Sequence, residues 1–235
     1  EFRLRPEALK AAITPKTKAI VITYPSNPLG AVLDRADGEA LAKVIEKHNI
    51  MVISDEVYEK IIFDGREHFS LAQIESIKDK VLVVNSLSKT YAMTGWRLGY
   101  CMADTPIRDR MQIFHQHAVV SAPSYVQPAC VQALKTDVSG VRELFRRRRD
   151  DVYRRLTDMG LEVQKPEGAF YMFINIEKYG MASEAFCTKM LQEGLVGLIP
   201  GVYFGTEGYM RLSYCYSDED LKEGLDRIEK FLQTV

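Results

Sequence analysis

Ser86-Leu87-Ser88-Lys89 follow directly on the apolar run "VLVVN", residues 81–85, and Arg97 stands eight residues beyond the lysine. A lysine amine is protonated and weakly nucleophilic near neutral pH unless burial or a neighbouring cation lowers its pKa. Delivered to the rim of a sheet close to an arginine, Lys89 is a candidate for condensing with an aldehyde. Arg97 and the hydroxyls of Ser86 and Ser88 suit a phosphate, as a bidentate guanidinium with short donors beside it. Two more apolar runs end in polar groups. "IMVIS" leads to Asp55 and Tyr58, and "TKAIVITY" leads to Asn27 in the Pro-flanked turn "YPSNPLG". Asp55 has the charge to keep a basic ring nitrogen protonated, and Tyr58 and Asn27 can hydrogen-bond a phenolate oxygen. Singly, each has a bland explanation: Asn27 makes its turn and Asp55 caps a helix. Three strands delivering polar groups to one edge are harder to explain by packing.

The elements that must position these groups are readable from pattern. Short continuous Val- and Ile-rich runs read as strands buried on both faces, the mark of a parallel sheet. They recur at intervals of about 31 residues, the size of a βαβ unit. "RADGEALAKVIEKHN" between the first two places Ala40, Leu41, Val44, Ile45 and His48 at helical spacing, so that crossover is a helix. The second, Tyr58 to Lys80, is less regular and partly loop. In open α/β sheets ligands bind beyond the carboxyl ends of the strands, where Asn27, Asp55 and Ser86–Lys89 stand.

Further along, "SGVRELFRRRRDDVYRRLTDMG" reads as a long helix with Val141, Leu144, Phe145, Arg148, Val152 and Leu156 near one face and Gly160 as its stop. Its arginine run, interleaved with Glu143, Asp150 and Asp151, reads as a solvated face rather than a nucleic-acid patch. After Gly160, strands and helices alternate irregularly. The expected division is residues 1–140, with a mainly parallel sheet, and 141–235, a smaller α+β domain entered through the long bridging helix.

The net charge of -1 gives no footprint for nucleic acid or an anionic membrane, and no apolar run approaches a bilayer span. Four scattered cysteines form no CxxC pair, so a reducing, cytoplasmic setting is expected. His115 and His117, two apart on a helix, face different ways, and no metal is expected.

Aldehyde, phosphate, basic ring nitrogen and phenolate together describe pyridoxal phosphate, whose protonated ring is the electron sink for carbanion chemistry at an amino acid Cα. In that order along the chain, "YPSNPLG", "SDEVYEKIIFDG", "SLSKTYAMTGWRLGY", "EGAFYMF" and "MRLSY" resemble the motifs of the class I and II aminotransferases, pyridoxal-phosphate fold type I. The resemblance implies the fold, transamination by a ping-pong route and an internal aldimine on Lys89, which then shuttles a proton at the substrate Cα. It also implies that residues 1–140 are the C-terminal part of a large cofactor-binding domain. Asp55 would pair with the pyridinium nitrogen, Tyr58 and Asn27 would contact the cofactor phenolate, and Ser86 and Arg97 would hold the phosphate. Arg211, with Asn27 alongside, would take the substrate α-carboxylate. The partners implied are an α-amino acid, a 2-oxo acid and a second copy of the full-length protein in a homodimer.

Two departures stand out. Leu29 occupies the place of the usual threonine in the Asn-Pro-Thr-Gly turn. Family members also begin well upstream, with a glycine-rich phosphate loop and an aromatic that stacks on the cofactor. With Glu1 in place of an initiator methionine, the chain reads as a piece of a longer protein. Alternatives are a carbon–sulfur β-lyase using the same cofactor, and the ligand-sensing module of an aminotransferase-like transcription regulator. Ser86-x-x-Lys89 also matches the S-x-x-K of penicillin-binding proteins, but their later S-x-N and K-T-G elements are missing.

Overall fold

The computed structural model describes residues 3–235. The chain divides into two units. One runs to Pro25 and resumes from Ala31 to Gly140, and the other takes Ser26–Gly30 and Val141–Val235.

In the first unit the three apolar runs become β1 (Ala19–Thr23), β2 (Met51–Asp55) and β3 (Val81–Ser86), adjacent and parallel, with Thr23 opposite Asp55 and Asp55 opposite Val84. The β1–β2 crossover carries α2 (Arg35–Ile45), the second helix after α1 (Pro6–Ala12). Asp34 caps α2 by accepting from the Asp37 N–H, and the helix buries Gly38, Leu41, Ala42 and Ile45. The β2–β3 crossover is turns and two short 3₁₀ segments, Leu71–Gln73 and Lys78–Lys80. Leu41 and Ile45 from α2, Ile22, Val52, Val81 and Val83 from the strands, and Phe69, Leu71 and Ile77 from the crossover form one apolar core.

One feature differs from the sequence reading. A fourth strand, β4 (Gly99–Met102), pairs antiparallel with β3, setting Gly99 opposite Ser86. Four residues opening on glycine carry too little pattern to announce a strand. The glycine is required by close approach, since a Cβ there would lie 2.7 Å from the Asn85 carbonyl oxygen. Within residues 3–235 one face of this sheet is more covered than the other. Val52, Ser54, Val81 and Val83 are buried, while Ile53, Asp55, Leu82, Val84 and Ser86 are only half-buried and Val21 is 69% exposed. The α2 helix and the Phe69–Ile77 segment pack on one face of the sheet. Helices α3 (Thr105–Val119), which buries no residue, and α4 (Gln127–Leu134) complete the unit. His115 and His117 lie exposed on α3.

The second unit is built on α5 (Ser139–Asp158) and an antiparallel sheet of β5 (Glu162–Val163), β6 (Tyr171–Asn175), β7 (Ile199–Pro200) and β8 (Tyr209–Ser213) in the order β5-β6-β8-β7. Helix α6 (Ser183–Lys189) continues into a π-helical turn, Met190–Gly194. Ser217 caps α7 (Asp218–Leu232), whose first turn is acidic, as the positive end of a helix dipole favours. Strand β6 is buried on both faces from Tyr171 to Ile174.

The arginine run is not a uniformly solvated face. Arg146 pairs with Glu143 and Asp150, and Arg147 and Arg148 pair with Asp218. Arg149 is fully buried. It lies three and seven residues before Val152 and Leu156, so helical period puts it on the packed side. Among the described residues, no helix is long and apolar enough to cross a membrane.

Candidate active site

Strand alternation and register bring the first unit's polar groups to one place. Ile53 and Asp55 of β2, and Leu82, Val84 and Ser86 of β3, lie on the half-buried face, with Asp55 and Ser86 at the carboxyl ends. Past Ser86 the chain turns sharply. The Ser86 hydroxyl donates to the Leu98 carbonyl at 3.3 Å and accepts the Ser88 N–H at 3.1 Å, which ties the Ser88–Lys89 turn to the strand end. Lys89 is half-buried, and its Nζ lies 5.9 Å from the centre of the buried Tyr58 ring. Asp55 Oδ1 accepts from the Val57 N–H at 3.2 Å, fixing the turn that leads to Tyr58. Tyr58 and Lys89 thus approach each other, and Ser86 and Ser88 are bonded. Arg97 is exposed, in the left-handed region at φ 54°, and its Nη1 donates to the Thr94 carbonyl at 2.8 Å. Its neighbour Leu98 supplies the carbonyl that Ser86 binds. The Asn85 amide nitrogen is buried without a hydrogen-bond partner, one residue before Ser86.

Behind Asp55 lies a set of residues that the sequence reading did not single out. Glu56 is buried; its Oε1 accepts from Ser54 at 2.8 Å and Ser70 at 2.6 Å, and its Oε2 lies 2.6 Å from His68 Nε2. These bonds fasten the strand end to the following loop on both sides of Asp55 and Tyr58. Glu56, Glu59 and His68 have ligand atoms within 4.8 Å of one another, a spacing that suits a cation, yet Glu56 already has both oxygens engaged. Burial pushes the Tyr100 phenol up to about 12, with Glu59 and Tyr91 adding to the effect, so it stays protonated across the physiological range. Nothing local marks Glu56 in the sequence, because its partners at Ser70 and His68 lie across a loop.

In the second unit Asn27 and Arg211 meet. Arg211 Nη1 donates to Asn27 Oδ1 at 2.8 Å, and the guanidinium carbon lies 4.5 Å from the Tyr171 ring centre and 4.9 Å from that of Phe204. The two rings pack against the planar fork and hold it by cation–π attraction. Nε is buried without a hydrogen-bond partner. The strand arginine needs its cross-strand setting to be recognised: Phe173 stands opposite Arg211 in the β6–β8 pairing, and Tyr171 two residues before it on the same face.

A family model described as "Aminotransferase class I and II" matches residues 1–228. The chain belongs to the class I and II aminotransferase family. It is 42% identical to an aspartate aminotransferase of Pyrococcus abyssi, over 99% of this chain and 62% of that protein. It is 40% identical to aromatic-amino-acid aminotransferase 2 of Thermococcus litoralis, again over 99% of this chain and 62% of that protein. A solved aromatic aminotransferase from Pyrococcus horikoshii OT3 superposes with a TM-score of 0.95 at 41% identity, covering 99% of this chain and 64% of that one. The expected pyridoxal-phosphate transferase fold type I is therefore borne out. The chain spans 62% of the length of each of these two curated relatives.

Proposed function

We propose that the protein is a pyridoxal-phosphate-dependent aminotransferase that moves an amino group from an α-amino acid to a 2-oxo acid. Family membership supports the reaction class. The observation that supports the substrate class is Arg211, whose guanidinium carbon lies 4.5 Å from the Tyr171 ring centre and 4.9 Å from that of Phe204 and whose Nη1 is aimed by Asn27. A planar guanidinium held in this way suits a carboxylate, taken bidentately.

The donor set near the strand ends fits the cofactor in its chemistry. Lys89 offers the amine for the aldehyde, Ser86, Ser88 and Arg97 offer donors for the phosphate, Asp55 offers a charge for the ring nitrogen, and Tyr58 offers a hydrogen bond to the phenolate; the part of Asn27 toward the phenolate rests on the family resemblance alone. When bound, pyridoxal phosphate supplies an electron sink for the negative charge that develops at the substrate Cα. Arg211 and Asn27 fix the α-carboxylate and so orient the Cα–H bond. Lys89 Nζ takes the Cα proton as general base and returns a proton as general acid in the second half of the reaction. The Asp55 carboxylate would keep a proton on the cofactor's ring nitrogen. The relatives' names range over aspartate, aromatic amino acids and, for a Bacillus subtilis protein 41% identical and named "Probable N-acetyl-LL-diaminopimelate aminotransferase", N-acetyl-LL-diaminopimelate. The substrate assigned is accordingly the α-amino carboxylate they share.

The test uses the full-length protein incubated with pyridoxal phosphate, reduced with borohydride and digested. The label is expected on the Lys89 peptide, and Lys89→Ala should lose both the label and transfer activity. Amino transfer should need a 2-oxo acid acceptor. Release of pyruvate and ammonia without an acceptor would instead establish elimination, and a label elsewhere would remove Lys89 from its role.

A further inference from the structure

Arg149 is among the largest fully buried side chains of the second unit, and an arginine there is costly unless its neighbours compensate. Its fork closes on Asp150, with Nε at 3.0 Å and Nη2 at 2.8 Å from Oδ1, and its Nη1 donates to the Pro166 carbonyl at 3.1 Å. Asp150 is held in turn by Arg146 at 3.0 Å and Lys165 at 2.9 Å.

The Pro166 carbonyl begins the turn that grips the Asn27 segment. The N–H groups of Glu167 and Gly168 both donate to the Gly30 carbonyl, at 2.9 and 2.8 Å. The Gly30 N–H donates to the Ser26 carbonyl at 2.8 Å, which closes the turn that contains Asn27. The contact is tight: Gly30 has φ +66°, and a Cβ on it would lie 2.5 Å from Pro166 Cβ. On the far side, the fully buried Tyr214 hydroxyl donates to the Ala169 carbonyl at 3.1 Å. A continuous path therefore runs from Arg149 through Pro166 and Gly30 to Asn27, and from Asn27 Oδ1 to Arg211.

We propose that Arg149 is a positioning residue for substrate-carboxylate binding: by anchoring the Pro166–Gly168 turn it fixes the Ser26–Gly30 turn, and so sets Asn27 against Arg211. The proposal rests on the reading of Arg211 and Asn27 as the carboxylate grip. A simple hydrophobe at position 149 would fill the volume but would leave the Pro166 carbonyl and Asp150 without this partner. The aligned fork is the property that matters, so lysine is not an equivalent replacement.

The experiment measures kcat and KM for an amino donor, with the full-length protein and pyridoxal phosphate, in Arg149→Lys, Asp150→Asn, Asn27→Ala, Arg211→Lys and the Arg149→Lys/Asn27→Ala double variant. Arg149→Lys is expected to raise KM about fivefold or more, with kcat within about threefold, the pattern of lost ground-state binding. In the Asn27→Ala background the same substitution should change KM less than about twofold, because the path it acts through is already cut. Asp150→Asn frees the fork without changing volume and should repeat the KM effect, which keeps the test open should Arg149→Lys fold poorly. In the cofactor-free protein, amide exchange at Glu167 and Gly168 should quicken in both single variants. Effects of Arg149→Lys and Asn27→Ala that simply multiply would overturn the proposal, as would a lowered Tm with unchanged KM. If Asn27→Ala and Arg211→Lys themselves leave KM unchanged, it is the reading of the grip that fails.

Discussion

Arg211 and Asn27 are 184 residues apart in sequence and 2.8 Å apart in space. That one bond joins the edge of a turn to the middle of an antiparallel strand. It aims a guanidinium that two aromatic rings already hold flat. Lysine at position 211 keeps the charge but loses both the fork and the stacking. Arg211→Lys is therefore expected to raise KM at least about tenfold for the amino donor and the 2-oxo acid alike. A change for one substrate only would show that the arginine reads a side chain rather than the shared carboxylate.

The Glu56 network predicts an ordered pair of stability losses. Glu56→Ala strands two serine hydroxyls and His68 at a buried site, at a cost of about 2–4 kcal/mol. Glu56→Gln keeps one oxygen acceptor and should cost roughly half as much. Urea unfolding of both variants checks this, and equal losses would mean that the hydroxyl bonds are not what holds the loop.

Gly30→Ala tests the close approach of the Ser26–Gly30 turn to Pro166. The added methyl meets Pro166 Cβ at 2.5 Å and the Gly168 carbonyl at 2.6 Å, and it also forces an L-residue to hold φ +66°. A loss of about 2–4 kcal/mol is expected from strain and overpacking together. Calorimetry should register this as a lower Tm. An unchanged Tm would show that the turn can retreat from Pro166 at little cost.

Asp34 gives an acid dependence with a definite sign. The Asp37 N–H that it caps holds its carboxyl below the usual aspartate range; burial opposes this, and Arg3 at 3.1 Å adds to it. A carboxylate depressed in the folded state stabilises the fold above the unfolded-state value of about 3.9, and that contribution is lost as pH falls through the folded-state value. Asparagine caps nearly as well but does not titrate. Wild type should therefore exceed Asp34→Asn in stability most at neutral pH, and the gap should close in acid. Urea midpoints collected from pH 7 down to pH 3 would show a constant gap if the charge on Asp34 were irrelevant.

The groups at the strand ends were legible because each follows an apolar run whose length and composition announce a strand. Lys89, Ser86 and Asp55 stand where β2 and β3 stop, and register does the rest. Arg149 was not legible: a run of four arginines looks solvated until the helical phase of Val152 and Leu156 is applied to each residue separately. Arg211 carried no signal of its own beyond the resemblance of "MRLSY". Its setting depends on Tyr171, Phe204 and Asn27, which sequence distance hides.

The Ser26–Gly30 turn belongs to the second unit although the chain on both sides of it belongs to the first. The backbone therefore changes unit three times, at Pro25, Gly30 and Gly140. A protease that cut near Gly140 would release no self-sufficient C-terminal piece, since a polypeptide starting at Val141 lacks Asn27 and the Gly30 carbonyl. By the same logic, exchanging C-terminal halves between two related chains would import an Arg211 equivalent while leaving its asparagine with the host. In such chimeras a mismatched turn and strand, rather than the junction itself, would be the first place to look for lost substrate affinity.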